Sequence, residues 1–241
     1  MTLGYETMTK DMPPLNIKEV MSKYFARNNP AAVQDGIFLL AQRGWFVTLW
    51  DMPIDAIPRA ASWIKQGDTV GVDNAMTNYF EDAMPRLIIH IAKNFPKRCA
   101  LIERAYMAHR LSLYDFSIPI LLSQADGIGA EVFGISPYSS RVDSIAKIKS
   151  FVEATFNMDS LSGAYWQIVY SLLPIRATEK DVKKFEDPLN RHEVLHGIRC
   201  DYGTKENSCK AFSWLQYVAS FKNDIGFMKK KTNNTADDHN P

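Results

Sequence analysis

Apolar residues recur at intervals of three and four along nearly the whole chain, the spacing of a helix face rather than the alternation of a strand. Ile17, Val20, Met21 and Phe25 form the first such stripe, with Asn16 as N-cap. A second helix runs from Ala31 to a stop at Gly44, after which "WFVTLW" is β-prone in composition. Pro53 and Pro58 punctuate turns and a short helix. Helices are then predicted over Asp73–Phe80 and over "AMPRLIIHIAKNFP", the latter ended near Pro96. Cys99, Ile102, Ala105, Tyr106 and His109 make the next stripe. The following helix takes Asp115 or Ser117 as cap and carries Pro119 in its first turn, where proline is tolerated. Two more amphipathic helices follow from Val142 and Asp159, then a polar connector, "PIRATEKDVKKFED". The last helix has Ala211, Trp214, Leu215, Val218 and Phe221 on one face.

This pattern predicts an all-α protein. Residues 1–80 form an N-terminal helical extension, 81–225 a helical bundle, and 226–241 a tail too polar to bury anything and expected to be disordered. No Gly-rich loop joins a strand to a helix, so no P-loop or dinucleotide fingerprint is present.

Composition narrows the function classes. The 241 residues are 46% hydrophobic and 23% charged, ordinary for a globular chain that needs no metal or disulfide to hold its core. Net charge is +1, so an RNA site has to be a local cluster on a neutral body. Three scattered cysteines, Cys99, Cys200 and Cys209, make no disulfide framework. The start of the sequence has no apolar signal region, and no run reaches the length of a membrane span. A cytoplasmic protein without membrane association is the expectation.

The candidate chemistry lies in "DPLNRHEVLHGIRCDYGTKENSCKAF", residues 187–212. Its centre reads two ways. His192, Glu193 and His196 spell H-E-x-x-H, in which two imidazoles one turn apart face a zinc ion and the glutamate is the general base. Gly197 stops that helix directly after the second His, and no downstream residue stands in a recognisable third-ligand pattern. A cluster of His196, Cys200 and Cys209 is a further metal drawing. Arg191 and His196, by contrast, spell R-x-x-x-x-H. Five residues are about 140° around a helix, so the pair needs a bent entry or a second subunit to meet in one pocket. Their chemistry suits phosphodiester cleavage. A histidine moves the 2′-OH or leaving-group proton, and an arginine fork neutralises the phosphate. That reading needs no metal and no cofactor.

"NRHEVLHG" resembles the R-x(4–6)-H motif of the HEPN superfamily, in which the residue after Arg is often Asn, Asp or His. "LNRHEVLHGIRCDYGTKENSCKAFSWLQYV" and "RCALIERAYMAHRLSLYDFSIPILLSQADGIGAEVFG" are similar to blocks of a group of uncharacterised bacterial helical proteins. The resemblance covers the second half of the chain with gaps. It implies a helical bundle that forms a homodimer with the two motifs facing each other. It also implies RNA as substrate, products with 2′,3′-cyclic phosphate and 5′-OH ends, and a role in phage defence or beside an antitoxin. Other members of the superfamily bind RNA or nucleotides without cutting. On the motif, Arg191 and His196 carry over as the catalytic pair, with Asn190 and His192 as flanking pocket residues. Asp126, in "SQADG", is placed as a polar group from a neighbouring helix, and Tyr202 as a residue that could stack on a base.

Plainer roles stand beside these. Arg191 suits a surface ion pair, and His196 before Gly197 suits a helix C-cap. Tyr202 and Gly203 suit a turn with Gly203 at positive φ and Thr204 capping the next helix. Lys210 reads as a solvated helix residue, His109 as a core histidine, and Trp45, Trp50, Trp63, Trp166 and Trp214 as core.

Overall fold

The computed structural model describes residues 30–48, 52–53, 55–156, 158, 161–186 and 188–237, the side chains of 161–162 and 226–237 excepted. The Asn16-capped stripe and Trp50 lie outside these residues. Nine α-helices occur among them, with no strand, and the fold is an all-α bundle. They are α1 (Pro30–Gln42), α2 (Ala56–Lys65), α3 (Thr69–Asn94), α4 (Cys99–Arg110), α5 (Tyr114–Phe133), α6 (Val142–Thr155), α7 (Leu161–Gln167), α8 (Arg191–Leu195) and α9 (Lys205–Asp237). Short 3₁₀ turns at Pro174–Arg176 and Val182–Lys184 cross the polar connector before α8.

Helix ends follow local chemistry. Asp68 caps α3 by accepting from Gly71 N at 2.9 Å. α1 stops at Gly44, φ 85°, where Trp45 N reaches Leu40 O and Gly44 N reaches Ala41 O. That pair of bonds closes the last carbonyls of the helix. The β-prone segment after it forms no strand in its described part, Trp45 to Thr48. All four of these side chains are buried.

The bundle is built around α9, which packs chiefly against α5 and α3. Every residue from Asn207 to Ala219 is buried, so over this stretch α9 is enclosed on all sides rather than on the single stripe its sequence shows. Its polar side chains find fixed partners. Gln216 Nε2 donates to Thr48 Oγ1 at 3.1 Å, and Ser213 Oγ accepts from Phe46 N at 3.2 Å. Lys210 is buried, not solvated, and bridges Glu206 and Asp73.

Two expected boundaries differ from what is seen. A border at residue 80 falls inside α3, which runs unbroken for 26 residues with Pro85 within it, where the sequence suggested two helices. Residues before 80 also share the core of the rest. Phe46 meets Trp214 edge to face at 4.6 Å, and Trp45 stacks on Phe80. At the other end, the backbone of α9 continues as helix to Asp237, beyond residue 225 where the polar tail was expected to begin. Among the described residues no helix is long and apolar enough to cross a membrane.

Candidate functional site

α8 is a five-residue helix with a sharply defined start and stop. Asn190 is its N-cap, accepting from Glu193 N at 3.1 Å. His196 is its C-cap and Gly197 follows at φ 67°. Ile198 N then bonds Glu193 O at 2.9 Å and Gly197 N bonds Val194 O at 3.2 Å, the paired closure of a Schellman end. The stop read at Gly197 is what the chain forms.

Asn190, expected as a flanking pocket residue, has another task. It is 1% exposed, and its amide donates to Pro174 O at 2.8 Å and Ala177 O at 2.9 Å. With the cap, three of its four hydrogen-bonding positions are in use. Asn190 therefore clamps the 3₁₀ turn Pro174–Arg176 against the start of α8.

The clamp shapes a cavity of about 290 Å³ between that turn, the start of α8 and the loop before α6. Tyr138, Ser140, Arg176, Thr178, Arg191 and His192 are on its wall, and exposed Glu179 is also part of its lining. Arg191 lies over the Tyr138 ring, 5.1 Å from its centroid, a cation–π contact that fixes the guanidinium plane. Its Nη2 is 3.6 Å from Asp126 Oδ2, and its Nε is buried with no hydrogen-bond partner. Asp126 is oriented in turn by Ser136, whose hydroxyl donates to Oδ1. Asp126 and Arg191 are thus brought together from α5 and α8.

Arg176 is the group that sequence reasoning missed. It is 8% exposed and donates to the carbonyls of Val169 and, at 3.1 Å, Ser139. No carboxylate pairs with it among the described residues. Burial pushes its pKa down to about 10, which leaves it charged at neutral pH. The signal was an arginine inside an apolar run, "LLPIRA".

The two histidines of the motif pack ring to ring, with centroids 4.4 Å apart at 52°. His192 is on the cavity wall, whereas His196 is exposed at the helix end. The structure therefore puts His192, not His196, beside Arg191 on the wall, with His196 stacked outside it. Among the described residues, no group of three His, Cys, Asp or Glu side chains stands together in a way that could hold a metal ion. Cys200 is exposed while Cys209 is buried in the core, its thiol pushed up to about 12 by burial. The drawn His196–Cys200–Cys209 cluster does not form.

Tyr202 is half-buried and is not on the cavity wall. Its hydroxyl donates to Asp115 O at 3.3 Å. That carbonyl would ordinarily bond the N–H of residue 119, and residue 119 is proline. Pro119 sits in the second turn of α5, not the first, and Leu113 rather than Asp115 or Ser117 is the N-cap. Gly203 has no positive φ. A Cβ there would come within 3.3 Å of Asp115 Cβ, so its role is close approach. Thr204 does cap α9, accepting from Asn207 N at 3.1 Å. Comparison of the chain with protein-family models, with curated proteins and with solved structures finds no match.

Proposed function

We propose that this protein is a metal-independent endoribonuclease that leaves 2′,3′-cyclic phosphate and 5′-OH ends, acting in phage defence or as a toxin-like effector. The observation that carries the reading is the grouping at the start of α8. A guanidinium is fixed on a cavity wall, an imidazole stands next to it on the same wall, and a second imidazole is stacked behind it. The substrate's 2′-OH attacks the adjacent phosphorus and the 5′-oxygen leaves. Arg191 neutralises the charge that builds on the non-bridging oxygens. His196 transfers the proton at the 2′-oxygen or the leaving oxygen, with His192 holding its ring. Because His196 is on the exposed side, the reading has a second copy of the chain face it and complete the groove, as the HEPN resemblance implies.

Purified protein is to be given a mixed RNA pool with and without EDTA, beside His196→Ala. Cleavage that survives EDTA, ends in cyclic phosphates and falls about a hundredfold or more in the variant is the expected result. Cleavage lost with EDTA, or equal in the variant, overturns the reading. A second reading, an RNA- or nucleotide-binding module without turnover, is favoured by one feature: the Arg191 guanidinium is already engaged by Asp126. Binding without product would select it.

A further inference from the structure

Among the described residues, no carboxylate pairs with the buried Arg176 cation. Its guanidinium has two backbone carbonyls as acceptors, and these supply partial charge rather than a full counter-charge. It shares the wall of one cavity with Arg191, whose Nε is likewise buried and without a partner. Asp126, behind the wall, is 3.6 Å from Arg191 and already accepts from Ser136. Two guanidinium groups therefore line a space in which, among the described residues, Glu179 is the one carboxylate, exposed and paired with neither of them. At about 290 Å³ it is at the small end of ligand pockets. That size suits one small ligand rather than a strand of several nucleotides.

We propose that this cavity is the seat of one phosphate-bearing nucleotide, with Arg176 as a fixed cationic anchor for the phosphate and Arg191 as the second fork. The inference rests on the ribonuclease reading for its substrate, in which the seated group is a nucleotide of the RNA at or next to the cut. Arg176 binds and does not react. Its two carbonyl bonds hold the plane of the guanidinium before the ligand arrives, so little order has to be created on binding. Glu179, exposed in the lining, opposes an entering anion and sets the affinity below the maximum the two arginines allow.

The test is calorimetric titration of the full chain with adenosine 3′-monophosphate, adenosine and inorganic phosphate, beside three variants. The nucleotide is expected to bind, adenosine to bind at least tenfold more weakly, and inorganic phosphate to compete with the nucleotide. Arg176→Met is expected to lose tenfold or more in affinity, the effect of removing charge-assisted hydrogen bonds. Glu179→Gln, on the surface, is expected to bind the nucleotide two- to fivefold more tightly. Ser140→Trp, also exposed, fills the space and abolishes binding. Arg176→Met binding as tightly as the parent, or adenosine binding as tightly as its phosphate, overturns the proposal. If Arg176→Met fails to fold, absence of any effect in both surface variants overturns it equally. RNA cleavage measured on the same samples separates the two ideas. Binding kept without any cleavage sinks the nuclease and leaves the cavity's ligand standing. Cleavage with an unchanged KM in Arg176→Met sinks the anchor and leaves the nuclease standing.

Discussion

Asn190 shows how much one side chain near a motif can hold without taking part in chemistry. Replacing it by Ala removes a helix cap, worth about 1 kcal/mol. It also strips the donors from two carbonyls, at about 1 kcal/mol each. Asn190→Ala is therefore expected to cost about 3 kcal/mol in urea denaturation. Asn190→Asp keeps the acceptor for Glu193 N, loses both donors and buries a charge, so it should be no better. A result under about 0.5 kcal/mol for Asn190→Ala would mean that the Pro174–Arg176 turn is held by something else. The two arginines behave differently from each other. Arg191 has its ring contact and ion pair at an accessible edge, whereas Arg176 is locked by backbone.

At the level of elements, the join between α5 and the approach to α9 rests on a proline's missing donor. Tyr202→Phe is expected to lose about 1 kcal/mol, the worth of one hydrogen bond to Asp115 O. In a Pro119→Ala background residue 119 regains its N–H and can close the helix itself, so the same Tyr202→Phe change should cost measurably less. A double-mutant cycle by thermal or urea unfolding reads this directly, and equal costs in both backgrounds would refute the pairing. α4 and α9 are joined by a different device. His109 Nδ1 shares a hydrogen bond with Ser208 Oγ at 2.8 Å in a buried setting, and Nε2 is 3.8 Å from Glu81. Burial lowers the His109 pKa more than Glu81 raises it, with Lys205 and Arg110 also lowering it. The unfolded chain thus takes up a proton near pH ~6.5 that the folded chain takes up only at lower pH. Stability is expected to be full above that pH and to fall as pH drops through the window below it. His109→Gln, followed by urea midpoints from pH 7.5 to 5, should show a shallower decline than the parent.

Over the whole molecule, one continuous apolar core joins α1 to α9. Trp214, at 0% exposure in its centre, is expected to cost about 3–5 kcal/mol on replacement by Ala, a large share of a typical domain's stability. The all-α class was legible because three-and-four spacing survives in the amphipathic helices, α4 and α6 among them. The unity of α3 was not legible: the apolar pattern gave one helix ending at Phe80 and another starting at Ala83, and the chain runs through both as one helix. The enclosure of α9 was hidden for a related reason. Lys210 read as solvated, and the partners that make its burial and that of Ser208, Ser213 and Gln216 tolerable include groups on distant segments. In the site, the α8 segment could be found from its own residues, because its cap and its stop are both local. The cavity could not, since Tyr138 and Arg176 reach it from other parts of the fold.

The enclosed position of α9 has a consequence for synthesis. A ribosome makes the chain from its N-terminus, and the pillar on which α3 and α5 close emerges after both of them. Nascent chains stalled before Lys205 leave Phe46 and Phe80 without Trp214 and Phe212 of the helix that covers them, and are a target for chaperones and proteases. Release of residues through Phe221 is then the step at which protease resistance should rise all at once, with little gain from any shorter length.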